Sequence, residues 1–202
     1  MITVHQAKAQ DKMDEFVDKE YGYFFRYPTD WKIRQLPEGQ RNEDIRVMLQ
    51  GPHGSSFMVV VEKVGQKTRR EDFDAGEKRK AKIDALMSQA IDQIYKSISQ
   101  NIKAKEMTIG DREDLSNETA IKFYISTLHS MPTGKPIIVA GIHALPFAND
   151  YAVNFVMTAF LDKTKKAEND LLTFVFNSFR LVGEPKVTEP GAAERSPETG
   201  GS

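Results

Sequence analysis

The chain has no cysteine, which excludes disulfides, thiol nucleophiles and thiolate metal sites together. The compartment stays open, because a domain of this size needs no disulfide staple. A dominant sign of charge is missing too. Lys and Arg number 28 against 29 Asp and Glu, a net charge of −1, so no global field recruits nucleic acid or an anionic membrane. No apolar run approaches the roughly 18 residues of a membrane helix. The longest, Phe57 to Val61 and Ile137 to Ala140, have the length and composition of strands. There is no Gly-rich phosphate loop and no Gly-x-Ser-x-Gly elbow, so Ser130 and Ser178 lack a nucleophile's context. The four histidines, His5, His53, His129 and His143, are not paired at metal-ligand spacing. The chain therefore reads as a non-enzyme with no cofactor.

What is present is a core. Hydrophobic residues make up 40% of 202 and charged residues 28%, which fits one domain of about 150 residues with tails. Residues 1–19 are expected to be a mobile or partly helical segment, with one or two helical turns over Asp11 to Asp18 carrying Met13, Phe16 and Val17 on one side. Glu20 to Arg26 is dense in Tyr and Phe and predicts a strand, ended by Pro28, which removes a donor and holds Tyr27 extended. Trp31 to Gln35 restarts as a strand, followed by turn chemistry at Leu36-Pro-Glu-Gly39. Ile45 to Gln50 and Ser56 to Val64 predict a hairpin across Gly51 to Gly54. Ile83, Leu86, Met87, Ala90, Ile91, Ile94, Tyr95 and Ile98 recur at the three-four spacing of one helical face. Strands follow at Glu106 to Asp111, Thr119 to Leu128, Pro136 to Leu145 and Tyr151 to Leu161, the last three as an antiparallel meander. Asp162 or Thr164 caps a final helix, Lys165 to Asn177. Residues 183–202 are Pro-, Gly- and Glu-rich, too poor in apolar side chains to offset ordering entropy, and read as a disordered tail. The predicted class is α+β: an antiparallel sheet of about seven strands with flanking helices over residues 20–182.

Two short signatures bracket that region. The opening one is YGYFFRYPTDWKI, with its Tyr27-Pro28 step and Trp31. The closing one is FVFNSFRL, with Ser178-Phe179-Arg180 after a helix. Together they resemble the opening and closing signatures of the PsbP-like family, which includes the Ran-binding Mog proteins and small bacterial relatives. The resemblance implies an αβα sandwich and a non-catalytic accessory or binding domain that docks on a larger protein assembly. PsbP-like proteins of photosystem II are associated with manganese and calcium retention, but no set of carboxylates and histidines here matches a motif that carries over.

The candidate docking residues are two basic runs, Lys67, Arg69, Arg70 and then Lys78, Arg79, Lys80, Lys82, which flank the start of the long helix. Glu71, Asp72, Asp74 and Glu77 are interleaved and weaken the field, so a solvated surface is the plainer reading and a salt-screened contact with an acidic protein the functional one. Ladder counting puts His129 opposite about Ile138 and His143 opposite about Tyr124, too far apart to share an ion. His143 then reads as a hydrogen-bonded core or edge histidine. The cluster Tyr21, Tyr23, Phe24, Phe25, Tyr27 and Trp31 reads as core rather than as a ligand-stacking wall. The start MITVHQAKAQDK has no apolar h-region, although Ala7-Lys8-Ala9 has the look of a cleavage site. An export signal cut short would make the protein periplasmic; an ordinary polar terminus would leave it cytoplasmic. The rival readings of function are a cytosolic partner-binding protein of the Mog type and an enzyme with an unrecognised site.

Overall fold

The computed structural model describes residues 12–34, 44–73, 76–102, 106–131, 136–160 and 166–183. Among them the elements run β1 (Met13–Asp18), β2 (Tyr23–Pro28), β3 (Lys32–Ile33), β4 (Ile45–Gln50), β5 (Ser56–Lys63), α1 (Gly76–Ile102), β6 (Glu106–Asp114), β7 (Ala120–Ser130), β8 (Ile137–Pro146), β9 (Tyr151–Phe160), α2 (Lys166–Asn177) and β10 (Arg180–Leu181). Seven strands form one sheet in the order β3-β4-β5-β9-β8-β7-β6, and β1-β2-β10 form a second. Every pairing is antiparallel. The class is the α+β arrangement expected, with the aromatic strand in a small sheet of its own.

Alternation along the strands divides the large sheet into two apolar faces. On one, Ile121, Phe123 and Ile125 of β7 are buried beneath Ile83, Met87, Ala90 and Ile91 of α1. The other lies beneath α2 and the small sheet. There Phe155 of β9 stacks on Phe179 with ring centroids 4.9 Å apart, and lies 5.0 Å from Phe25, 5.3 Å from Phe57 and 5.8 Å from Phe176. Trp31 packs flat on Phe57 at 5.3 Å and is buried. Gly51 makes room for it, since a Cβ there would stand 2.8 Å from the indole Cζ2.

The two sequence signatures meet in the small sheet. Arg180 and Leu181 of β10 pair with Phe24 and Tyr23 of β2. Ser178 clamps the join: its Oγ accepts from Arg26 N at 2.8 Å and donates to Val175 O at 2.6 Å. The Arg180 guanidinium donates to the carbonyls of Asn177 and Phe179, closing the end of α2. On the far side of the small sheet, the buried Asp18 carboxylate accepts from Glu20 N, Tyr21 N and Arg46 Nε, and so ties this sheet to β4. Burial, then the Asp18 carboxylate, raise the Tyr23 phenol far above its ordinary value and keep it protonated.

One expectation fails outright. Met13–Asp18 is a strand, not helical turns, and pairs in register with β2 from Met13↔Pro28 to Asp18↔Tyr23. A helix of so few residues is marginal by itself. The free edge of β2 offers the same residues a ladder, and the Phe16 ring lies over Phe25 at 5.4 Å and Tyr23 at 6.1 Å. The strand after Trp31 is also shorter than expected, Lys32–Ile33. Residues 1–11 of the N-terminal segment, the Leu36–Gly39 and Pro132–Gly134 turns, the caps Asp162 and Thr164, and residues 184–202 lie outside the described residues. So do the side chains of Ile94, Tyr95 and Ile98.

Candidate functional site

The basic residues singled out in the sequence sit where the chain leaves β5 and enters α1. Residues 64–73 hold a defined path because they are stitched to the β8–β9 turn. Val64 N donates to Asp150 O and Thr68 N to Asn149 O, each at 2.8 Å, while Ala148 N donates to Thr68 O at 2.9 Å. This strap carries Lys67, Arg69 and Arg70 alongside the first turns of α1.

The structure splits the seven residues between two sides of the helix. Lys67, Arg69 and Lys82 line a groove of about 720 Å³ between the strap, α1 and the sheet. Lys78 lies one turn before Lys82 on the same side of α1. Arg79 and Lys80 instead line a depression of about 480 Å³ on the β6 side, with Arg112 and Asp114. Arg70 opens a single 3-10 turn, Arg70–Asp72, and is exposed.

Their charges are not equally available. Arg69 grips Asp72 with two hydrogen bonds, 2.8 and 3.1 Å, and lies 3.8 Å from Glu71. Arg79 reaches Asp114 at 3.3 Å. Lys82 donates to the Asp72 carbonyl at 2.7 Å and sits over the Phe73 ring, which spends one of its three donors and no carboxylate. Among the described residues Lys67, Lys78 and Lys80 form no ion pair. Of the arginines, Arg69 and Arg79 are thus engaged with carboxylates, which leaves the lysines as the more available charge among the described residues.

The floor of the larger groove was not visible in the sequence. The strand registers place Phe123, His143 and Asn154 side by side across β7, β8 and β9. His143 Nδ1 is 2.9 Å from Asn154 Oδ1, and the ring stacks on Phe123 at 5.2 Å. Its Nε2 is buried without a partner. The register corrects the expected ladder by one residue: His143 stands opposite Phe123 rather than Tyr124, and His129 opposite Ile137 rather than Ile138. Odd-numbered residues of β7 and β8 thus share the face that α1 covers, and even-numbered ones pack under α2. His129 lies on that same odd-numbered face but farther along β7, 2.9 Å from Thr127 Oγ1. Among the described residues no group of three or more metal-ligating side chains is assembled, and no helix is long and apolar enough to cross a membrane.

Burial lowers both imidazoles below the ordinary 6.5, opposed at His143 by the hydrogen bond to Asn154. Both are neutral in the folded protein. The stability they contribute is intact above pH 6.5 and falls as pH drops below it, because the unfolded chain takes up protons that the folded one refuses. The midpoint of thermal unfolding is therefore expected to decline between about pH 6.5 and 5, with a shallower decline in His143→Phe. An unchanged slope in that variant would show that His143 titrates freely.

No family model and no curated protein matches the sequence. Solved structures do. The solution structure of cyanobacterial PsbP (CyanoP) from Synechocystis sp. PCC 6803 is 11% identical with a TM-score of 0.58, and the match covers 84% of this chain and 92% of that one. The Ran-binding protein Mog1p of Saccharomyces cerevisiae is 11% identical with a TM-score of 0.47, covering 85% and 96%. The first of these likenesses shows that the chain has a PsbP-like fold, as its two signatures implied.

Proposed function

We propose that this protein is a non-catalytic accessory domain that docks on a larger protein assembly, with the lysine surface at the start of α1 meeting an acidic region of the partner. The observation that carries the reading is the disposition of charge around the strap. Among the described residues Lys67, Lys78 and Lys82 gather on one side of α1 without carboxylate partners, on a backbone held in place from below. Such a surface steers and orients an acidic partner more than it binds it tightly. The PsbP-like scaffold supports the same reading, since it supplies a rigid sheet-and-helix body on which a docking face can be carried.

The test is photo-crosslinking in the native organism from position 78, set against position 173 on the exposed side of α2. A single partner should crosslink from 78 and not from 173. Lys67→Glu, Lys78→Glu and Lys82→Glu together should weaken its binding about tenfold or more, because exposed charge pairs contribute roughly 0.2–1 kcal/mol each and reversal replaces attraction with repulsion. Raised salt should weaken binding of the parent protein and have little effect on the variant. Binding that is indifferent to both changes would sink the proposal.

A further inference from the structure

The larger groove holds more than a charged rim, and its interior goes beyond the protein-docking reading. We propose that it is a binding site for a small amphipathic organic acid: an aryl or branched-alkyl body carrying one carboxylate.

The space comes first. A volume of about 720 Å³ falls within the range of small-molecule sites. The walls are of mixed character in the way such sites require. Phe73 and Leu86 offer apolar surface on the strap and helix side, and Phe123 and Leu145 offer it on the sheet. Gln89 and Gln93 of α1 add neutral hydrogen-bonding groups from above.

The floor is built rather than merely left over. His143 is fixed by its hydrogen bond to Asn154 and by its stacking on Phe123, so the three side chains form one polar-aromatic plate. With Nδ1 donating to Asn154 Oδ1, Nε2 presents a lone pair and finds no partner. Gly141 is what admits the ring in this position, for a Cβ there would lie 2.8 Å from Nε2. A structure that only needed a filled core would be served by an apolar side chain at 143. The residue lines the groove together with Phe123 and Asn154, so this polar-aromatic plate is the surface that a ligand in the groove would meet.

Charge selects the class. Arg69 and Asp72 neutralise one another, and adjacent Glu62 and Lys63 carry opposite charges. Among the described residues Lys67 and Lys82 remain at the rim without carboxylate partners. An anionic head between these lysines, with an apolar body lying against Phe73, Leu86, Phe123 and Leu145, matches the charge of the rim and the apolar character of the walls. A cationic ligand of the same shape meets repulsion at the rim.

The experiment is a titration of the isotope-labelled full chain with 3-phenylpropionate, with 3-phenylpropylamine as its charge-reversed counterpart, read by the resonances of Phe123, His143 and Asn154. Saturable shifts at these residues are expected with the acid, at a Kd of about 0.1–1 mM for a ligand of this size. The amine should give none. Lys67→Gln with Lys82→Gln should weaken the acid about tenfold, and Gln89→Trp, which fills the groove from an exposed helix position, should abolish binding while leaving the melting temperature unchanged. The proposal is overturned if no shift saturates below about 10 mM, if acid and amine bind alike, or if the shifts map away from the groove. None of these results depends on the protein partner, so the site and the docking surface can fail separately.

Discussion

Phe155→Ala is expected to destabilise the domain by about 4–5 kcal/mol and to lower its melting temperature by roughly 8–20 °C. The reason is the position of this ring rather than its size alone. Phe155 is fully buried and lies against the rings of Phe25, Phe57, Phe176 and Phe179. Those four belong respectively to the small sheet, the hairpin β4–β5, helix α2 and the segment leading to β10. Removing the ring opens a cavity that no single element can close, because each is held by its own backbone ladder or helix. Aromatic pairs also contribute about 0.5–1.5 kcal/mol each beyond area. Phe155→Leu, which keeps most of the volume, should lose well under half as much. Thermal and denaturant unfolding of the two variants checks this, and an alanine variant that melts close to the parent would mean that the two sheets do not share one core.

Trp31→Ala is the second large effect, a loss of roughly 3–5 kcal/mol. Trp31 is 7% exposed and stacks on Phe57 at 5.3 Å. The chain around it is organised to receive it, with Gly51 omitting the side chain that would strike the indole. Since Trp31 is the only tryptophan, its emission reports on this packing directly. The parent protein should emit at the short wavelengths of a buried indole and shift to longer ones on unfolding. An alanine variant that melts within a degree or two of the parent would return Trp31 to the surface and make it a candidate contact residue.

The parts of this molecule that were legible in the sequence are those where local pattern and tertiary contact agree. The long helix was visible because Ile83, Met87, Ala90 and Ile91 repeat at helical spacing, and these residues are buried on β7. Ser178-Phe179-Arg180 was legible as a signature, and its residues prove to be a backbone clamp, a core ring and a helix closure. The strand β1 is not legible in the sequence, because MDEFVD has no strand-like alternation. Its conformation is set by the edge of β2, a partner that the local pattern does not contain. The groove was hidden for a related reason. His143, Phe123 and Asn154 are separated in sequence, and only the ladder register brings them together. A one-residue slip would move His143 from the α1 face to the α2 face. The basic residues could be listed from the sequence, but not divided, since which side of α1 each occupies depends on how the helix lies on the sheet.

The join between β2 and the end of α2 has a consequence for how the protein is made. Arg26 and the Ser178 hydroxyl that binds it are 152 residues apart. At a synthesis rate of about 5–20 residues per second, the aromatic strand leaves the ribosome some 8–30 s before its cover exists. Until the end of the chain is made, Tyr23 and Phe25 lack the cover of Phe179 and Leu181, and the small sheet is open along the edge that β10 will later take. Folding of this domain is thus closed from its far end, and a nascent chain stopped short of Phe179 presents an uncovered aromatic ribbon to any chaperone or protease nearby.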